Sequence, residues 1–295
     1  MRMRELRFVL LCAAVQVGMA TLPGMAQTDA GGWSKSYPVS GKASVTVSTG
    51  DAGIDVHSCG GCRTVTVRVD WRGRKAGDFT ISEFQGGDHV SFQLKEKPHL
   101  NFAIQMGNLH SPQVTVETPA ELDLEAHTAD GGLKVSGVQG TLELHTSDGG
   151  VDVSDVSGAV RLTASDGTIR MHNVTGTLES RSSDGHSTID GTFTGLAVHT
   201  SDGNLDLTVG AGSRLRTASS VDSSDGKVLV RLPRSMAVDL DVHTSDGQID
   251  CKLPLSMEGY NTAHSAGHSL RGHLNGGGVP LNIHTSDGNV TIVGQ

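Results

Sequence analysis

Aspartate, histidine and cysteine are the residues of this 295-residue chain that could do chemistry, and many of the aspartates and histidines recur at fixed spacing. A Ser-Asp-Gly motif, with Ala in place of Ser in the first copy, occurs eight times, and its carboxylate could serve acid/base catalysis or coordinate Ca²⁺. A histidine stands at the third position before the aspartate in five copies, and imidazole binds transition metals. The repeated pairs are Asp130, Gly131, Asp148, Gly149, Asp166, Gly167, Asp184, Gly185, Asp202, Gly203, Asp225, Gly226, Asp246, Gly247, Asp287 and Gly288.

The spacing of these pairs predicts the elements that position them. The first five aspartates, from Asp130 to Asp202, recur with a constant 18-residue period, and the later intervals, which end at Asp225, Asp246 and Asp287, are longer. A second set of glycines ends the phrases "GVQG", "DVSG", "NVTG" and "TFTG" about half a period away. Between the turns, apolar and polar residues alternate as in "TLELHT", which is typical of β-strands. Each repeat therefore contains two short strands and two turns.

Two β architectures fit this pattern. Asp-Gly between alternating segments is a hairpin signal, so an antiparallel meander is one alternative. A long meander would expose one apolar side, whereas a solenoid closes that side around its own axis. Aromatic residues make up only 3% of the chain, which suits a narrow interior filled by Val, Leu, Ile, Thr and Ser. We therefore predict an all-β solenoid, or β-helix, of about 18-residue coils with an irregular β cap at its N-terminal end.

The chain divides into three regions. Residues 1–26 have a basic start, an apolar run from Phe8 to Val17 and small residues before Gln27, the pattern of a cleaved signal peptide. Residues 27–120 form the N-terminal β region and cap, in which "STGDAGIDV" resembles a degenerate first repeat. Residues 121–295 form the Ser-Asp-Gly solenoid, continuous with the cap. We expect export to the periplasm, cell surface or medium, and no transmembrane segment after cleavage.

The repeated turn is interpreted as structural. Gly would supply the positive φ of a tight turn, and Asp would accept hydrogen bonds from the turn amides. Calcium-binding β-rolls are the alternative, but they carry aspartates in both turns of an 18-residue coil, whereas here one turn per coil has them.

Histidines offer a second metal hypothesis. His127 and His145 lie in consecutive repeats, so with Asp148 they are the candidate metal ligands. Thr163, Arg181 and Asp222 replace histidine in other copies, so an outward-facing surface position is the preferred interpretation. His264, His268 and His273, in a later insertion, support the same weak metal hypothesis.

The cysteines indicate a disulfide. Cys59 and Cys62 in "CGGC" would close a small local turn in an oxidising compartment, with thiol chemistry or a metal site as alternatives. Cys251 has no predicted partner and is expected to be buried.

Net charge limits the partners. Removing residues 1–26 takes away three arginines and Glu5, leaving 20 basic and 31 acidic side chains and a formal charge of −11. An acidic chain of this kind argues against nucleic acid as a partner.

Several segments resemble the bacterial putative-adhesin family of unknown function. They include "VTVETPAELDLEAHTADGGLKVSG", "VLVRLPRSMAVDLDVHTSDGQID" and "VPLNIHTSDGNVTIVGQ". The likeness extends from about Ser40 to the C-terminus, and the "CGGC" turn and the His-rich insertion depart from it. The resemblance implies an exported or envelope-attached β-solenoid with no defined catalytic residues.

The predicted function is non-enzymatic binding. The elongated β surface would bind an envelope protein or a glycan, with no cofactor. One alternative is a carbohydrate-active β-helix enzyme, but the acidic residues are spread evenly and the regular repeats contain no Trp or Tyr. The other alternative is a metal- or calcium-binding envelope protein.

Overall fold

The structure is a computed structural model that describes residues 27–29, 32–98, 110–256 and 267–295. The predicted signal peptide and His264 lie outside these residues. Apart from a 3₁₀ turn at Ala76–Asp78, the regular elements within the described ranges are β-strands. The N-terminal strands are β1 Gln27–Asp29, β2 Gly32–Pro38, β3 Ala43–Thr49, β4 Gly53–Ser58, β5 Thr64–Asp70, β6 Phe79–Gly86, β7 His89–Glu96 and β8 Gln113–Thr118.

Fourteen further strands, counted within the described ranges, follow. They are β9 Glu121–Thr128, β10 Leu133–Ser136, β11 Gln139–Thr146, β12 Val151–Ala164, β13 Ile169–Ser182, β14 His186–Thr200, β15 Asn204–Val209, β16 Ser219–Ser223, β17 Val228–Leu232, β18 Val238–Thr244, β19 Ile249–Cys251, β20 Ser269–Leu274, β21 Val279–Thr285 and β22 Val290–Gly294.

Consecutive repeats pair in parallel. Leu142 lies beside Val160, and Leu144 lies beside Leu162, on the adjacent strands β11 and β12. Val151 does not pair back onto Leu144 across the Ser-Asp-Gly turn but forms parallel pairs with Leu133 and Ile169. The prediction of an all-β solenoid is therefore confirmed, and the meander is excluded.

Two parallel sheets face each other across the core. We call one the histidine sheet, because the repeated histidines lie on its outer face; the other is the opposite sheet. The histidine sheet contains β3, β9, β11, the second halves of β12 to β14, β16, β21 and β18. The opposite sheet contains β4, β10, the first halves of β12 to β14, β15, β17, β22 and β19.

Alternation along each strand fills the narrow core. On β11, Leu142, Leu144 and Thr146 are buried, while Glu143 and His145 are exposed. The same apolar position stacks from coil to coil as a ladder of Leu124, Leu142, Val160, Leu178 and Leu196. Each fully buried aliphatic side chain contributes about 1.5–3 kcal/mol relative to an exposed one. Aliphatic ladders, with few aromatic residues, thus hold the coils together.

Backbone hydrogen bonds link the repeated turns into one column. The amide of Asp148 donates to the carbonyl of Ala129 at 3.0 Å, and the amide of Asp166 donates to the carbonyl of Ser147 at 2.8 Å. The equivalent bond occurs at all eight repeated turns. In the described residues, no turn amide donates to a repeated aspartate side chain, contrary to the expectation from the sequence. The turn amides already donate to carbonyl groups of neighbouring turns, so the side-chain carboxylates of the repeated aspartates face solvent.

A buried threonine completes four of the repeated turns. The hydroxyl of Thr146 accepts from the amide of Gly149 at 3.2 Å and lies 3.3 Å from the carbonyl of Ala129, to which it donates. The same bond from the turn glycine is made to Thr128, Thr244 and Thr285. These hydroxyls satisfy amides that would otherwise be buried without partners.

The turn glycines are needed for close approach more than for positive φ. Gly167, Gly185 and Gly226 have φ of 120°, 103° and 104°. The prediction of positive φ is wrong for the other five, Gly131, Gly149, Gly203, Gly247 and Gly288. A Cβ on Gly149 would collide with the carbonyl oxygen of Gly131 in the adjacent turn. Any side chain at this position would push the coils apart.

A corner between the two sheets is the second turn of each coil. Gly137, Asp155 and Asn173 stand there with φ of 68°, 54° and 54°, a conformation that Gly, Asp and Asn tolerate best. Farther along the same corner, Gly158, which ends "DVSG", pairs with Gly176, which ends "NVTG" on the next coil. The fourth glycine of that set, Gly195, is displaced by a register shift and pairs with Thr177.

The coils do not all stack in chain order. The last strands, β21 and β22, insert between the β16–β17 coil and the β18–β19 coil. Asp287 consequently stands between Asp225 and Asp246. Partial loss of hydration, and then these two carboxylates, raise the pKa of Asp287 above its usual value.

Antiparallel strands cover the two ends of the stack. β6 pairs antiparallel with β7, and β2 pairs antiparallel with β5, at the N-terminal end. Trp33 packs on Phe92 there, with ring centroids 5.3 Å apart. At the other end, β20 pairs antiparallel with β18. These strands stop further coils from adding to the exposed edges.

Replacing Gly149 with Val should lower the free energy of unfolding by about 1–3 kcal/mol, because the new side chain overpacks the turn column. Asp148→Asn should change it far less. The matched control is Gly150→Val, because a Cβ there meets only a carbonyl at 3.6 Å. Urea unfolding of the three variants tests this, and equal losses at Gly149 and Gly150 would contradict it.

Thr146→Val should also destabilise the protein, by about 1–3 kcal/mol, because it leaves the buried amide of Gly149 without an acceptor. Thr118 offers the control, since its hydroxyl is buried without a partner among the described residues. Thr118→Val should therefore leave the melting temperature unchanged or raise it. A similar loss for both variants would show that volume, not hydrogen bonding, matters.

Asp287→Asn should stabilise the protein at neutral pH, where the ionised carboxylate faces two others. The pKa of Asp287 is raised in the folded state, so stability falls as the pH rises from the unfolded-state pKa to the folded-state pKa, and the full loss persists above it. Below both pKa values the carboxyl is protonated in both states and costs nothing. The gain in melting temperature should thus disappear in acid. Asp250→Asn, which removes an exposed carboxylate beside Lys252, should give no gain. A pH-independent gain would refute the electrostatic explanation.

Candidate functional site

Two adjoining depressions form a groove on the outer face of the histidine sheet. Their volumes are about 330 Å³ and 300 Å³, and both are lined by Glu179 and Ala197. Small residues from successive coils form the floor of the 330 Å³ depression, and strand alternation turns those of β11, β12 and β13 outward. These floor residues are Thr141, Ala159, Thr177, Gly195, Ala197 and Ala218.

A charged ridge separates the two depressions. Arg161 pairs with Glu179 on the neighbouring strand at 3.0 Å, and Arg181 also pairs with Glu179. Hydrogen bonds from Arg181 and then Arg161 hold the pKa of Glu179 below its usual value. The arginine side chains remain 59% and 57% exposed. Their guanidinium groups therefore keep donors that can reach a ligand.

A loop between β15 and β16 adds two arginines beside the groove. The amide of Arg214 donates to the carbonyl of Phe193, and the amide of Arg216 donates to that of Thr194. Leu215 packs against the core between them, so both arginines are directed outward. Neither has an ion-pair partner among the residues that the structure describes. This loop accounts for the lengthened interval of the repeat before Asp225.

A third depression lies farther along the same face, with a volume of about 590 Å³. His273 pairs with Asp239 at 2.6 Å, and Arg271 pairs with Asp241 at 3.0 Å. Hydrogen bonding from His273 keeps the pKa of Asp239 low. The charged groups of this depression are thus already paired with each other.

The histidines form two neighbouring pairs. The rings of His127 and His145 are 5.6 Å apart, and those of His243 and His284 are 5.4 Å apart and stacked. The structure does not join Asp148 to the first pair. In the described part of the chain, no three His, Cys, Asp or Glu side chains are grouped so that they could hold a metal ion. A metal or calcium site on His127, His145 and Asp148 stays a hypothesis.

The cysteines occupy two different environments. Cys59 and Cys62 form a disulfide with their Cα atoms 5.8 Å apart, at the end of β4. Cys251 is a free, buried cysteine, and burial raises the pKa of its thiol. A buried thiol of raised pKa is a poor nucleophile.

Sequence reasoning did not find the groove. Its available signal was the 18-residue recurrence of small residues at Thr141, Ala159 and Thr177, outside the repeated turn. The convergence of two arginines on Glu179 follows from strand register, which pairs Arg161 with Glu179.

No helix in the described ranges is long and apolar enough to cross a membrane. No curated protein matches the chain. Two similar solved structures, both of Parabacteroides proteins, are each 11% identical to this chain. The one named a putative lipid binding protein, from P. distasonis ATCC 8503, has a TM-score of 0.50 over 90% of this chain and 97% of its own. The one named a putative adhesin, from P. merdae ATCC 43184, has a TM-score of 0.49 over the same shares.

A family model also matches the chain. The model described as Toastrack DUF4097 matches residues 40–293, which is most of the chain and includes the groove, the turn column and both sheets. Its bounds agree with the segment over which the repeated strands and turns are seen. The chain belongs to the Toastrack family DUF4097.

Proposed function

We propose that the protein is exported, has no enzymatic activity and binds a partner, a glycan or an envelope protein, in the groove of the histidine sheet. The observation that carries this proposal is the groove itself. It offers a floor of small side chains and a charged ridge, and a partner lying along it could contact several coils at once.

Two features support export. Residues 1–26 have the order of charges and apolar residues found in signal peptides. The disulfide between Cys59 and Cys62 is of the kind that persists in oxidising compartments. Periplasm, cell surface and medium all satisfy these conditions.

The charges of the groove favour binding over catalysis. A general acid needs a carboxyl whose pKa is raised toward neutrality. Glu179, which lines both depressions, has a lowered pKa because two arginines hold it. The carbohydrate-active enzyme and the metal-binding protein remain the alternatives, and the outcomes below separate them.

Filling the groove should weaken binding. Ala159→Trp and Ala197→Trp place a large side chain on the floor, and Thr188→Trp is the matched control on the opposite sheet. We expect the protein, isolated from the fraction outside the cytoplasm and starting near Gln27, to bind ligands on an array of neutral and acidic oligosaccharides and envelope proteins. The two groove variants should lose affinity by about tenfold or more, and the control should not.

Several results would count against the proposal. Retention of the protein in the cytoplasm would contradict export. Shortened oligosaccharides would indicate an enzyme, and bound metal after purification would favour a metal-binding role. Equal binding by the groove variants and the control would place the binding surface elsewhere.

A further inference from the structure

The ridge between the two depressions contains more positive than negative charge. Arg161 and Arg181 converge on Glu179 from neighbouring positions, so two guanidinium groups share one carboxylate. Each arginine lines a different depression, Arg161 the first and Arg181 the second. A ligand lying across the ridge therefore meets a cationic fork on either side of it.

The nearby loop strengthens this charge. Arg214 and Arg216 project outward beside Thr194 and just before Thr217 and Ala218, which line the groove. The chain as a whole carries a formal charge of −9. Three acidic residues, Glu143, Glu179 and Asp222, also line the groove. Counted against these three carboxylates, the four arginines leave a local positive excess in an otherwise acidic protein, which favours an anionic ligand.

The lining residues also exclude one way of recognising sugars. Neither depression of the groove is lined by a Trp, Tyr or Phe side chain, so a neutral sugar would find no such ring to stack on. Arginine instead binds carboxylates through two parallel hydrogen bonds. Charge and hydrogen bonding, not stacking, would supply the affinity.

The shape of the groove fits a linear chain. It crosses the strands β11, β12, β13, β14 and β16, which at the usual spacing of paired strands is about 19 Å. Arg161 and Arg181 are diagonal neighbours across β12 and β13, about 7–8 Å apart at their backbones. A polymer with repeated negative groups could engage both arginines at once.

We infer that the groove binds an acidic polysaccharide whose carboxylates pair with Arg161 and Arg181. This inference rests on the proposed function and names the ligand class of the same site. The floor of small residues admits the sugar backbone, and the loop arginines attract the chain from solution.

The test compares one polymer with and without its charge. Full-length mature protein is titrated with polygalacturonate and with fully methyl-esterified polygalacturonate by calorimetry. We expect binding of the charged polymer only, weakening steeply as salt is raised. Arg161→Gln and Arg181→Gln should each lower affinity about tenfold.

Two further variants make the result specific to the ridge. Arg170→Gln removes an exposed arginine from the same strand, β13, but on the opposite sheet, and should leave affinity unchanged. Glu179→Gln removes the carboxylate that competes for both arginines, so it should raise affinity about threefold. Unchanged melting curves would show that the variants are folded.

Equal binding of the ester and the charged polymer would overturn the inference, as would equal losses at Arg170 and Arg161. So would the absence of binding to the charged polymer by the unmodified protein. If Ala197→Trp weakens the binding of a neutral oligosaccharide or of a protein on the array, the proposed function stands. Only the inference of an acidic polysaccharide is then wrong. If no ligand is sensitive to Ala197→Trp, both fail.

Discussion

The fold depends on how closely the backbones of successive coils approach at the repeated turns. The amide of each turn aspartate bonds to a carbonyl in the adjacent turn, and the glycine that follows leaves no room for a Cβ. The spacing between coils is thereby held to that of hydrogen-bonded strands. Both sheets then continue this spacing on either side of the turn column, which keeps the coils in register apart from the shifts between β13 and β14.

Fixed register turns one position of the repeat into a row across the molecule. Thr146 and most of its equivalents become a buried row of hydroxyls, which Ala164 interrupts, and Leu142 and its equivalents become a ladder in the core. On the outer face, the same rule places small residues side by side and produces a groove. Arg161 and Glu179 meet for this reason, although one full repeat separates them along the chain. The chemistry of the surface in such a protein therefore depends on which residues occupy the same position in successive coils.

The ends of the stack follow a different rule. A coil in the middle has a partner on both sides, whereas a terminal coil leaves edges that can recruit another chain. Antiparallel strands such as β6 and β20 cover these edges. The C-terminal coil lies between two earlier ones, so Asp287 joins the aspartate column in its interior. Like charges brought together in this way add to the effect of lost hydration in raising the pKa of Asp287.

The sequence by itself determined the all-β class, the 18-residue coil and the inward set of Val, Leu and Thr. These follow from local alternation and period, which the residues of one repeat carry. The tertiary structure alone decided the reason for most turn glycines, the order of the terminal coils and the groove with Arg161 and Arg181 on Glu179. Each of these depends on which strand edge a coil joins. All strand edges offer the same backbone donors and acceptors, so the choice is made by packing and end closure and leaves no local signal.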